Sequence, residues 1–168
     1  MHRTSFKTLL AQHDLPQSFI YLAPILPIVQ VMWADGRNQM PERAKLQLML
    51  EEHCAALSEM ADGMELVSKA DREKFDHLFV ASRPDFDLLT EFGEIATQMV
   101  YEEGSMAPPE DREGSLNDRD QLVRACMEIA AACAANHPSY GNEEDLKRIV
   151  DEERQLIVKV IELVQPQN

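Results

Sequence analysis

The sequence predicts an all-α protein, a single-domain bundle of about seven helices. Apolar residues recur at spacings of three and four along nearly the whole chain, which is the period of a helix that buries one face. No stretch alternates apolar and polar residues for long enough to indicate a strand. The 168 residues fit one domain, and the 45% hydrophobic content is enough to bury a core without disulfides or a structural zinc.

The helix bounds follow from prolines, glycines and capping residues. The first three expected helices run over about 5–13, 17–34 and 41–60. The fourth runs from a cap at 68 or 71 to about 81, and the fifth from 85 to near 101. The sixth begins at 117 or 118, and the seventh runs over about 143–164. The second is apolar all round, which predicts a central position. Pro24 and Pro27 lie inside it, so it should kink or begin afresh near Pro24.

Residues 102–120 predict an exposed, flexible acidic loop. This segment contains seven acidic residues, two arginines, two prolines and two glycines, which is too polar and too broken for a helix. Its acids either attract a basic partner or belong to a solvated linker.

The overall charge bears on the classes of partner. Thirty acidic against sixteen basic side chains leave a formal charge of −14, which repels phosphate backbones and anionic lipids. We therefore expect no nucleic acid and no membrane as partners. Divalent cations or basic proteins suit this charge, and a solvated acidic surface that maintains solubility is the simpler interpretation.

The cysteines and the apolar runs predict a cytoplasmic protein. Cys54, Cys126 and Cys133 form no CxxC pair and no even disulfide set, which is typical of a reducing compartment. Each lies in an apolar helical context and is expected to fill the core. No secretory leader pattern is present, and no run approaches the ~20 apolar residues of a membrane span.

Two similar turns indicate an internal repeat. A shift of the chain by 101 positions places WADGRNQMPE (33–42) over AANHPSYGNE (134–143). Asp35 then matches Asn136, and Glu42 matches Glu143, and in each turn the glutamate is the seventh residue after the first position. An apolar helix precedes each turn and an amphipathic helix follows it. The pattern predicts two halves related by a pseudo-twofold axis.

The run Ala34-Asp35-Gly36, followed by Glu42 and an amphipathic helix, resembles the signature of the TerB-like family. This family includes the tellurite-resistance proteins, and its fold also occurs as the N-terminal domain of a membrane-anchored DnaJ-like co-chaperone. The resemblance implies a seven-helix-type bundle of two related halves, with a divalent metal site formed by acidic residues near the turns. Two departures are Asn38, in place of an aliphatic residue, and Asn136-His137, in place of Asp-Gly.

The candidate metal ligands are therefore Asp35 and Glu42, with Asn136 and Glu143 from the second half. Carboxylate and amide oxygens suit a hard divalent cation, and the sequence leaves calcium, magnesium, manganese and zinc open. Glu42 falls on one helical stripe with apolar residues and His53, where a carboxylate is costly unless it is paired or metal-bound. The competing interpretation is helix punctuation, since Asp-Gly ends helices and acids are common in a first turn.

Three functions remain open at this stage. The first is a non-catalytic, metal-binding helical protein, associated by resemblance with tellurite resistance or stress response. The second is a metal-free interaction module, a monomer or a homodimer, that docks a protein partner. The third is an enzyme in which Glu42, Glu143 or Glu153 acts as a buried general base. It ranks last because the sequence contains no Walker loop, GxSxG, HExxH or Glu-x-x-His motif.

Overall fold

The computed structural model describes residues 2–34, 40–106 and 119–135, together with Gln155 and Val158. Within these residues every regular element is helical, so the all-α prediction is confirmed there. Six α-helices are described: α1 His2–Gln12, α2 Leu26–Met32, α3 Met40–Met60, α4 Lys69–Phe75, α5 Phe86–Met106 and α6 Arg119–Ala135. A 3₁₀ segment, Gln17–Ile25, precedes α2, and a π segment, Asp76–Ala81, continues α4.

The predicted seventh helix and the turns that would complete the repeat fall largely outside these residues. Gln155 and Val158 are described, and both are helical and exposed. The seven-helix count and the internal repeat therefore stay predictions.

The 3₁₀ segment and α2 form the centre of the core. Every residue from Leu22 to Val29 is buried. Pro24 lies inside the 3₁₀ segment and Pro27 in the first turn of α2, where a missing backbone N–H costs nothing. The predicted break near Pro24 is confirmed. Among the described helices none alone is long and apolar enough to cross a membrane, and α1 with residues 17–32 passes that test only as a pair bent by 117°.

Aromatic side chains join the surrounding helices to this centre and to one another. The rings of Phe19 and Phe75 lie 5.4 Å apart, and those of Phe6 and Phe92 lie 5.5 Å apart, both edge to face. Helix α5 packs against α1 and α2. It approaches α2 closely at Gly93, where an added methyl group would overlap the side chain of Gln30.

Helix α3 is amphipathic, as its sequence predicts. Its buried residues are Glu42, Leu46, Leu50, His53 and Leu57, and Met49 is partly buried against the core. These positions form one stripe at the helical period. The stripe predicted from the sequence is therefore confirmed, including its two polar members.

Helix α4 begins at a side-chain cap and ends in wider turns. The Ser68 hydroxyl accepts a hydrogen bond from the backbone N–H of Asp71 at 3.1 Å. In the π segment, the Trp33 indole N–H donates to the Phe79 carbonyl at 2.7 Å. This bond satisfies one of the last carbonyls of the helix, which have no partner along it. The expected helix to about Ala81 is confirmed in extent, whereas its π-helical end was not predicted.

Two helix ends correct the prediction for the acidic loop. The Asp85 carboxylate accepts from the Leu88 N–H at 2.9 Å and caps α5 as expected, but α5 continues to Met106 rather than ending near Tyr101. Helix α6 begins at Arg119. Both ends of the segment predicted as a loop are therefore helical, and the Glu102 carboxylate lies 2.6 Å from the His2 imidazole of α1. Residues 107–118 lie outside the described part.

Replacing Ser68 with alanine is expected to lower the free energy of unfolding by about 1 kcal/mol, because the first turn of α4 loses its side-chain acceptor. Urea denaturation of the two proteins measures the difference. Ser68→Asp is the control, since aspartate also accepts at this position and should retain most of the stability. Equal losses in both variants would show that the cap contributes nothing.

Candidate functional site

The candidate site begins where α2 ends. The Trp33 N–H donates to the Val29 carbonyl at 3.1 Å, and the Ala34 N–H donates to the Val31 carbonyl at 3.2 Å. The second of these bonds spans three residues instead of four, which tightens the last turn, as is common at helix ends. Residues 35–39 are outside the described part, and α3 begins at Met40. The helix end and the helix start predicted on either side of the turn are both observed.

Glu42, in the first turn of α3, is fully buried, with 0% of its surface exposed. An acid that only complements the helix dipole does so on the surface and needs no burial. Removing a carboxylate from water costs several kcal/mol unless the protein compensates its charge. The burial of Glu42 therefore marks it as a site residue or as part of a buried polar arrangement, and it argues against simple surface punctuation.

Helix α6 packs against both elements that flank the turn, α2 and α3. Among the α6 side chains that the structure describes, Leu122, Ala125, Cys126 and Ile129 are buried. At the edge of this contact the Lys45 ammonium lies 3.7 Å from the Glu128 carboxylate. The prediction that Leu122, Cys126 and Ile129 point inward is confirmed, whereas the side chains of Ala130 and Cys133 are outside the described part.

The structure describes only one of the four predicted ligands. Glu42 is described and buried, while Asp35, Asn136 and Glu143 lie outside the described residues, as does Glu153. Across the described part, no group of three or more His, Cys, Asp or Glu side chains is arranged to hold a metal ion. A metal site at Glu42 with three or more such side chains would therefore need ligands from residues outside the described part. The metal site stays a prediction.

His53 has a structural partner of its own. It lies eleven residues after Glu42, or ~16 Å along α3, which is too far to share one ion. Its Nε2 is 2.7 Å from the Tyr21 carbonyl, and its side chain is buried. Burial lowers the pKa of His53, and the hydrogen bond to Tyr21 opposes this only in part. The neutral imidazole thus donates to the 3₁₀ segment, consistent with a satisfied core histidine.

The described cysteines behave as core residues. Burial raises the pKa of the Cys126 thiol to about 12, so this thiol carries no charge at neutral pH. Burial also raises the pKa of the half-buried Cys54, and the charge of Arg72 opposes that rise. Neither environment is that of an activated nucleophile.

A groove between α3 and α4 was not predicted from the sequence. It is lined by Gln47 and Glu51 of α3 and by Arg72 and Asp76 of the α4 region. The spacing gives part of it, since Gln47 and Glu51 are four apart on α3, and Asp76, the first residue of the π segment, follows Arg72 of α4 by four. Spacing along each helix does not show which faces meet, so only the tertiary structure reveals the groove.

The described residues define a class of protein, an α-helical domain with a carboxylate buried in the first turn of a helix. Comparisons of the chain with protein-family models, with curated proteins and with solved structures found no match.

Proposed function

We propose that this protein is a non-catalytic, TerB-like helical protein that binds a divalent metal ion beside the turn between α2 and α3. By resemblance, its role lies in tellurite resistance or a related stress response in the cytoplasm. The observation that carries the proposal is the complete burial of Glu42 on the apolar stripe of α3. A bound cation would offset part of the cost of removing the charge of a carboxylate in this position from water.

The proposed ligands would donate oxygen atoms only. Asp35, Glu42 and Glu143 would each supply an anionic oxygen, and Asn136 a neutral one. Such a set suits calcium, magnesium or manganese better than zinc, which in structural sites takes mostly sulfur and nitrogen ligands. None of these residues is required to transfer a proton.

The packing of α6 also supports the proposal. Asn136 directly follows Ala135, the last residue of the helix that contacts both α2 and α3. The sequence repeat pairs α6 with α2, and these two helices pack against each other in the core. A pseudo-twofold site needs such a contact between the paired helices.

Calorimetric titration tests the proposal. Chelator-treated protein, titrated with calcium, magnesium, manganese and zinc, is expected to bind at least one ion with a dissociation constant of about 1–10 µM. The Asp35→Ala, Glu42→Ala double variant should lose this binding, because it removes two anionic ligands.

Two controls make the titration decisive. Glu42→Gln keeps the size of the side chain and removes its charge, so it should also lose the ion while keeping the helical circular dichroism signal. Glu52→Gln changes an exposed acid of the same helix and should bind as the parent does. Absence of binding by the folded parent protein, or retention by both site variants, would contradict the proposal.

A second candidate is the metal-free interaction module. Exposed apolar side chains on two packed helices favour it: Met40 is 85% exposed, Leu48 55% and Met127 57%. On this hypothesis the Asp35→Ala, Glu42→Ala variant keeps both fold and partner binding, whereas charge changes within 102–120 alter binding. A homodimer is one way to cover such side chains, and light scattering distinguishes it from a monomer.

A further inference from the structure

A groove runs between α3 and α4 on the side of α3 beside its buried stripe. It has two adjoining parts, of about 540 and 300 Å³, and both are lined by Glu51 and Arg72. Leu50 lines the larger part, and Leu57 and Val67 line the smaller part. These three side chains are almost completely buried and form an apolar floor. We call this feature the α3–α4 groove.

Two of its carboxylates are already paired with the cations of the groove. Lys69 Nζ lies 3.8 Å from the Glu73 carboxylate, and Arg72 Nη2 lies 3.7 Å from the Glu65 carboxylate. The groove therefore offers little attraction to an anionic ligand.

Two further carboxylates, those of Glu51 and Asp76, leave the groove with a net formal charge of −2. The Gln47 side-chain N–H donates to Asp76 Oδ1 at 3.0 Å, which fixes Asp76 against α3. Glu51 lies one turn after Gln47 on the same helix, and side chains four apart are neighbours on a helix surface. Glu51 and Asp76 thus flank one stretch of the larger part of the groove.

We propose that the α3–α4 groove binds a peptide segment of a partner protein in which an arginine is followed by apolar side chains. The guanidinium lies between Glu51 and Asp76, because its planar donors match carboxylate oxygens. The apolar side chains lie over Leu57 and Val67 in the smaller part. The charge of −14 on the whole chain favours the approach of such a basic segment.

This inference does not depend on a metal ion, so it is tested in excess chelator. The probe is N-acetyl-Arg-Leu-Leu-amide, added to ¹⁵N-labelled full-length protein and followed by amide chemical shifts. Shifts are expected for amides along 47–57 and 65–76. N-acetyl-Glu-Leu-Leu-amide should leave these amides unchanged, because its charge is repelled by the groove.

A charge-matched pair of variants separates the groove from general attraction to an acidic protein. Glu51→Gln, Asp76→Asn removes both flanking carboxylates and should weaken binding of the arginine peptide about tenfold. Glu52→Gln, Glu59→Gln removes the same charge from exposed positions of α3 that do not line the groove, and should weaken it less than twofold.

Three results would overturn the inference. The first is equal weakening in the two double variants, which indicates non-specific attraction. The second is equal binding of the glutamate peptide. The third is the absence of groove shifts up to the solubility limit of the arginine peptide.

Discussion

Replacing Phe79 with alanine is expected to lower the free energy of unfolding by about 3–5 kcal/mol. The Phe79 ring is 2% exposed, and its centroid lies 5.1 Å from that of Phe75, 6.2 Å from that of Phe92 and 6.4 Å from that of Phe19. Truncation removes the burial of this ring and leaves a cavity where the 3₁₀ segment, the π segment and α5 meet. The bond from Trp33 to the Phe79 carbonyl involves only the backbone at this position and is retained.

Urea denaturation measures this loss, and the chain offers a matched control. Phe86 is 73% exposed at the start of α5, so Phe86→Ala should change the free energy of unfolding by no more than about 0.5 kcal/mol. Similar losses in the two variants would show that the aromatic cluster is not the main contributor to the core.

Acidification is expected to destabilise the protein through His53. The pKa of His53 is lowered in the folded protein from an ordinary value of 6.5, because burial disfavours the imidazolium. As the pH falls below 6.5, the unfolded chain takes up a proton that the folded protein does not. The contribution of His53 to stability is therefore complete above 6.5 and decreases by up to about 1.4 kcal/mol per pH unit down to the folded pKa.

A comparison of unfolding free energies at pH 7.5 and pH 5 isolates this effect. His53→Gln retains a donor for the Tyr21 carbonyl but does not titrate, so its stability should fall less between the two pH values than that of the parent. His77→Gln, at an exposed position, should retain the parent's pH dependence. If His53→Gln lost as much stability as the parent on acidification, other groups would account for the acid sensitivity.

Much of the helical layout was predictable because it depends on local chemistry. Pro24 and Pro27 restrict the backbone wherever they occur, so the break before α2 could be placed without tertiary information. The stripe of α3 was predictable from its period, since the side that is most apolar is the side that is buried. The end of α5 was not predicted, because the acids and the glycine after Tyr101 indicate a loop by composition, whereas α5 continues to Met106.

The candidate site was predictable in one respect. The phase of α3 places Glu42 on the apolar stripe, and the structure buries it completely. Its companions Asp35, Asn136 and Glu143 belong to the part of the chain that the structure does not describe, so their meeting stays a prediction from the repeat and the family resemblance. The π segment was also not predicted, because apolar spacing indicates a helix without distinguishing α-helical from π-helical turns.

The sequence by itself determined the helical class, the break before α2, the cap of α5 and the buried face of α3. All of these follow from backbone restrictions and from side-chain periods within a few residues. Only the tertiary structure decided that α6 packs against both α2 and α3, that His53 bonds the Tyr21 carbonyl, and that Glu51 and Asp76 line one groove. These facts depend on which faces of distant helices meet, and that is decided by the packing of the whole core.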